Sequence, residues 1–386
     1  MKRIIVVSVF LSIFLSGFAK QRACVVVKNT SAIVRDKEIV EIDAALLKSL
    51  LPSLQGNTAY LVKDKKGRVL PSQLTYDKKL LFQASLAAGR KAEFFITVDS
   101  VRTYAPLVFG RLYPERSEDF AWENDCVGFR LYGNALRYLD GPSNGMDLWL
   151  KRTTQLVLDK WYENALVHKI SFHVDHGEGC DPYGVGHSLG AGAMAPFVNG
   201  ELILNNNFVK EEVLENGPLR FTAKLTYPDI DIAGKKFAES RIVVLDANSH
   251  LTKIIQQYAV TEPMPVAAGI VKRAGQDSML VNKEKGYFIY QEPETKDNDQ
   301  LFLGVLMPQG LDSVFVHSYA YMHPVQKKEL LFSHVLGLTT YKPHVPLVYY
   351  TGYGWNKNKF PDVKAFDAYM KAFSLKIDSP MEVYIK

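Results

Sequence analysis

The sequence predicts an all-β protein, a large antiparallel sandwich with a small β unit ahead of it. Three observations carry this. Short β-branched or aromatic runs recur along the whole chain, several alternate in period two, and Gly- and Asp-containing turn signals separate them. Aromatic residues make up 12% of the 386 residues, with 20 Tyr and 21 Phe, and such flat side chains suit half-buried pleated faces. Helical patterning is found at only two places. Hydrophobic residues at 47% and charged residues at 23% exclude wholesale disorder.

The elements follow in order. Residues 1–19 begin with Lys2 and Arg3, continue as an apolar run from Ile4 to Phe18 and end on Ala19. This is the pattern of a cleaved export signal, too short for a span of ~20 residues, and it predicts a periplasmic or secreted protein with no membrane span. Residues 20–100 form the small β unit, with runs such as ACVVVKN, LLFQASL and KAEFFITVD and one helix over Asp43–Leu51, stopped by Pro52. Residues 101–386 form the large sandwich. HKISFHVD and DLWLKRTTQLVLDKWY are among its expected strands, and a helix is expected over Pro361–Phe373.

Removing Lys2 and Arg3 from the formal net charge of +5 leaves +3, too little and too dispersed for a nucleic-acid partner. The three Cys form no Cys-x-x-Cys pair, which leaves a thiolate zinc site unsupported. There is no phosphate-binding Gly loop, and Gly186-His187-Ser188-Leu189-Gly190 misses the geometry of a serine nucleophile elbow.

Chemistry concentrates in HKISFHVDHGEGCDPYGVGHSLGAGA, where four of the nine His fall within twenty residues. The stretch is expected to open on a strand, since Ile170, Phe172 and Val174 alternate with Ser171, His173 and Asp175, so that His173 and Asp175 share a face and the strand breaks at Gly177 and Gly179. Three readings stay open. His173 or His176 and Tyr183 act as base and acid, with Glu178 or Asp181 setting the His tautomer. Alternatively, some of His173, Asp175, His176 and Glu178 hold a divalent metal. In the third, Asp and His serve turn hydrogen bonds and the Gly residues supply positive φ.

A second constellation is GRLYPERSEDFAWENDCVGFRLYG. Arg116 can pair with a substrate carboxylate, Trp122 can stack on a sugar ring, and Glu123 can serve as acid or base beside Asn124 and Asp125. Against this stands a solvated charged loop. Lys151-Arg152 reads as a surface salt-bridged pair or an anion site. His317, His323 and YYTGYGW, ending at Trp355, read as core or edge aromatics.

On these residues the chain resembles the domain of unknown function 4861 family, exported proteins of Bacteroidota-type polysaccharide utilisation. The shared positions are Pro114-Glu115-Arg116, Asp119, Trp122-Glu123-Asn124-Asp125, His173, Asp175-His176-Gly177-Glu178-Gly179, Asp181, Tyr183 and Trp355. Phe172 stands where the family pattern has Tyr. The resemblance implies a galactose-mutarotase-like sandwich and a carbohydrate context, and it supplies no reaction.

The expected function is a carbohydrate-active enzyme on uronic-acid-containing oligosaccharides or polysaccharides. A lyase fits the groups: Arg116, with Asn124, neutralises the uronate, His173 or His176 abstracts the C5 proton, and Tyr183 protonates the leaving oxygen. The alternatives are a hydrolase pairing Glu123 with Glu178 or Asp181, a sugar epimerase or mutarotase, and a non-catalytic glycan binder with Trp122 and Trp355 as platforms. No organic cofactor is expected, and a divalent metal is an open possibility.

Overall fold

Alternation builds the strands. In Glu239–Asp246 the residues Glu239, Arg241, Val243 and Leu245 are buried and their neighbours are half-buried. Among the described residues the strand-to-strand ladders are antiparallel. The computed structural model describes residues 21–297 and 299–386, so the leader expected at 1–19 lies outside the described residues. Among the described residues no helix is long and apolar enough to cross a membrane.

The first unit is a sandwich of a five-stranded and a three-stranded sheet. Val25, Val27, Val40, Leu47, Phe82 and Ile96 fill it. Its edge strand, Glu382–Ile385, comes from the far end of the chain and pairs with Arg22–Lys28. The helix Ala44–Lys48 is capped by Asp43, whose carboxylate accepts the Ala45 N–H at 2.7 Å.

The larger unit packs an eight-stranded sheet and two five-stranded sheets around one core. The helix Val363–Asp378 runs past the expected end at Phe373 and lays Phe366 and Met370 on the outer face of the eight-stranded sheet. Gly304 permits this approach, because a Cβ there would stand 2.8 Å from the Met370 methyl.

Two expected strands are something else. DLWLKRTTQLVLDKWY divides into a strand, Asp147–Lys151, and a helix, Leu158–Leu166. HKISFHVD is a series of turns that folds back on that helix, with the Ile170 N–H donated to Asn164 O. Its aliphatic positions do not point to a core: Ile170 is 41% and Val174 56% exposed. His173 and Asp175 therefore share no strand face.

Candidate active site

The site is one face of the five-stranded sheet that runs, in spatial order, through Gly179–Cys180, Asp147–Lys151, Gly128–Leu131, Asp119–Asn124 and Val108–Tyr113. Register puts Arg130 opposite Ala121 and Asp147, and Lys151 opposite Gly179. With a side-chain period of two, Asp119, Glu123, Arg130, Asp147 and Lys151 share this face. Phe120, Trp122, Phe129, Leu148 and Leu150 point the other way, into the main core. Gly179 closes the sheet at φ 122°, where a Cβ would lie 1.9 Å from Leu150 O.

Arg130 is the hub. Its Nε donates to Asp147 Oδ2 at 2.9 Å, its Nη2 donates to Asp147 and to Asp181 Oδ2 at 2.8 Å, and its Nη1 stands 3.6 Å from Asp119 Oδ2. Tyr132 donates its hydroxyl to Asp147 at 2.7 Å, and Tyr162 donates to Asp119 at 3.1 Å. All three carboxylates are buried, against one guanidinium. Burial pushes the Asp119 carboxyl up to about 6 against the pull of Arg130 and Arg116. Burial and the Asp147 charge push Asp181 well above its ordinary value. Burial disfavours the Arg130 charge too, but Asp147 and Asp181 outweigh it and hold the guanidinium protonated.

His173 sits at the mouth of this cluster with its side chain 59% exposed. Its Nδ1 is 2.6 Å from the Asp181 backbone carbonyl and 3.6 Å from the Asp181 carboxylate. A carbonyl only accepts, so Nδ1 carries the hydrogen and Nε2 keeps a bare lone pair in the neutral ring.

Glu123 is fully buried and faces Lys151 Nζ at 2.5 Å. Its other oxygen accepts the Val157 and Leu158 N–H groups at 2.6 and 2.7 Å, at the start of the helix Leu158–Leu166. That helix covers the polar face with Leu158, Trp161 and Tyr162, joined by Phe172 from the turns. Arg111–Asp159, Arg152–Asp175 and Lys160–Glu178 pairs hold the cover at its exposed rim. Between helix and turns lies a cavity of about 490 Å³ lined by Lys160, Trp161, Asn164, Ser171, His176 and Glu178. Ser171 O lies 3.1 Å from His176 Nε2, which leaves Nδ1 bare in the neutral ring. The hydrogen bond from Lys160 holds the Glu178 carboxyl below its usual range.

The residues considered for a metal are each turned to a local partner. Asp175 accepts the Gly177 and Gly179 N–H groups and pairs with Arg152, Glu178 pairs with Lys160, and His176 bonds Ser171 O. Among the described residues no group of three or more His, Cys, Asp or Glu is arranged to hold a metal ion.

The pattern of the family described as Domain of unknown function (DUF4861) matches residues 27–383. The chain belongs to the DUF4861 family. It is 29% identical over 318 residues to "Uncharacterized protein P7" of Formosa agariphila, covering 80% of this chain and 78% of that one. Among solved structures it is similar to a protein in the glycosyl hydrolase family 38 from Enterococcus faecalis, with TM-score 0.51 and 9% identity over 96% of this chain and 48% of that one. A similar structure is an alpha-mannosidase from Enterococcus faecalis V583, with TM-score 0.48 and 9% identity over 95% of this chain and 46% of that one. At such identity the first likeness shows the fold, and this DUF4861 chain spans about half the length of that solved chain.

Several motif residues of this DUF4861 protein are structural. Trp122 is 0% exposed and donates its indole N–H to Thr252 at 3.2 Å, and Trp355 is buried with its N–H on Asp299 at 3.0 Å, so neither offers a ring face to a sugar. Asn124 spends both amide hydrogens on Asp246 O and Ser249 O and accepts the Cys126 and Val127 N–H groups, which fixes a turn rather than a ligand. Asp125 accepts the Asn248 N–H at 2.7 Å. Tyr183 is buried with its hydroxyl on Gly190 O at 3.0 Å, out of reach of a leaving group. Lys151 is fully buried instead of lying on the surface. Arg116 is half-buried and close enough to Asp119 to lower its carboxyl. Sequence reasoning missed Arg130, Asp147 and Tyr132. The alternation of Arg130 with Phe129 and Leu131 was the available signal.

Proposed function

We propose that this protein is a periplasmic carbohydrate-active enzyme that cleaves uronic-acid-containing oligosaccharides by β-elimination. The observation that carries the reading is the pairing of His173 with Asp181: a partly exposed imidazole has one nitrogen fixed by a carbonyl and the other bare, beside a guanidinium–carboxylate cluster. His173 Nε2 takes the proton from C5 of the uronate. The C5–H electron pair becomes the C4=C5 double bond, the C4–O bond breaks, and the leaving oxygen takes a proton. Arg116 at the rim neutralises the substrate carboxylate, which acidifies C5. Tyr132 is no better an acid than Tyr183, because its hydroxyl is likewise spent on a buried acceptor, Asp147, so the leaving oxygen takes its proton from solvent. A hydrolase built on Glu123 is disfavoured, because both of its oxygens are engaged by Lys151 and the helix start.

Incubation with pectic, ulvan or glycosaminoglycan fragments tests this. The expected result is growth of the ultraviolet band of an unsaturated uronate, abolished in His173→Ala. Reducing-sugar release without that band rejects elimination in favour of hydrolysis, and binding without any product rejects an enzyme.

A further inference from the structure

A second cavity, of about 500 Å³, opens between the N-terminal sandwich and the eight-stranded sheet. Its floor is one face of adjacent strands. Register sets Lys253 opposite Val244 on one side and Tyr350 on the other, with Thr222 beyond Val244. Tyr350 stands against Phe373, edge to face with ring centroids 5.1 Å apart, and makes an aromatic wall.

The other lining cations, apart from the exposed Lys37, are already engaged. Arg220 is held by Glu41 at 2.7 Å and Asp246 at 2.6 Å, Lys79 by Glu41 at 2.9 Å, and Lys376 lies 3.8 Å from Glu38. Lys253 differs. It is half-buried, its charge is opposed by burial and by Arg220 and favoured by Glu41 and Asp246, and among the described residues its ammonium makes no hydrogen bond and no ion pair within 4 Å. A partly desolvated ammonium without an ion-pair partner is stabilised by a ligand that brings an anion to it. Around it stand carboxylates suited to hydroxyl groups: Glu215, which accepts from Thr222 and Gln73, and Asp36 and Asp77 on the N-terminal side. One half-buried unpaired cation (Lys37, also unpaired, is exposed), several oxygen acceptors and a flat ring match a pyranose that bears an anionic group and several hydroxyls.

We propose that this cavity is a second saccharide site, in which Lys253 takes the carboxylate or sulfate of an acidic sugar seated on Tyr350. It involves none of the residues assigned to the elimination.

Isothermal titration of the full chain with glucuronate-containing, sulfated and neutral oligosaccharides of equal length tests it, run on His173→Ala so that no ligand is consumed. Acidic sugars are expected to bind at least tenfold more tightly than neutral ones at a site that the further change Lys253→Met removes. The two acidic series tell carboxylate from sulfate. Because Met relieves an unmatched cation, the melting temperature is expected to hold or rise. Equal binding of acidic and neutral sugars overturns the proposal. So does an unchanged number of acidic-sugar sites after Lys253→Met, since the elimination site with Arg116 still binds uronate in both proteins, or a fall in melting temperature with that number intact, which marks Lys253 as structural. A missing unsaturated product from the wild-type protein defeats the lyase reading and leaves this titration interpretable.

Discussion

Arg130 and Asp181 lie 51 residues apart in sequence and meet at 2.8 Å, both buried. This one contact joins the stretch around Asp119 to the stretch around His173. Replacing Arg130 by Met strands Asp119, Asp147 and Asp181 together without a cation. Breaking a buried ionic cluster from one side costs about 3–5 kcal/mol, so Arg130→Met is expected to lower the urea midpoint sharply. A midpoint within error of wild type would mean that the carboxylates are already neutral without it.

Asp119 sets a pH dependence. Its carboxyl titrates near 3.8 when free and at about 6 in the folded chain. Between these values the folded state keeps a proton that the unfolded state has lost, so this group's contribution to stability falls as pH rises from 4 to 6. A rise from 3.8 to about 6 corresponds to about 3 kcal/mol. Asp119→Asn removes the titration and keeps an acceptor for Tyr162. Denaturation series at pH 4 and pH 7 are expected to show the variant gaining on wild type at the higher pH.

His173 and His176 divide by role. His173→Ala is expected to lower turnover on a uronate substrate about 10²–10⁴-fold, with little change in melting temperature because the ring is largely exposed. His176→Ala, in the cavity between helix and turns, is expected to alter KM more than kcat. The reverse pattern would move the base to His176.

Trp122→Phe is expected to leave affinity for any glycan unchanged. The indole is enclosed by Phe120 and Phe129 and bonded to Thr252. Its loss opens a cavity and removes a hydrogen bond, so stability falls by about 1–3 kcal/mol. Weaker binding at unchanged stability would return Trp122 to the substrate.

Much of the architecture was legible because period-two alternation is local. Ser313–Met322 shows this, with Tyr319 and Tyr321 half-buried between exposed Ser318, Ala320 and Met322. The helix Leu158–Leu166 was not legible, since Val157 caps it without a side-chain hydrogen bond and its start is held by Glu123, 34 residues earlier. A carboxylate that distant leaves no mark in a local window. The site was legible in part for the same reason. Asp181 and His173 stand out in a Gly-punctuated loop, whereas Arg130 looks like any solvent-facing residue of an alternating strand until Asp147 and Asp181 are brought to it.

Glu123 is where a structural and a catalytic role are most easily confused, and one variant separates them. Glu123→Gln keeps size and one acceptor oxygen but removes the charge facing Lys151, whose side chain is fully buried. The stranded ammonium is expected to cost about 3–5 kcal/mol. The same change weakens the acceptor of the Val157 and Leu158 N–H groups, so the cover formed by the helix Leu158–Leu166 opens more often. Amide hydrogen exchange in that helix is expected to accelerate relative to the eight-stranded sheet. At temperatures where the variant is folded, turnover per folded molecule is expected to stay within about tenfold of wild type, against the 10²–10⁴-fold loss a catalytic acid or base would show. Full stability with abolished turnover would make Glu123 the reacting carboxylate and restore the hydrolase.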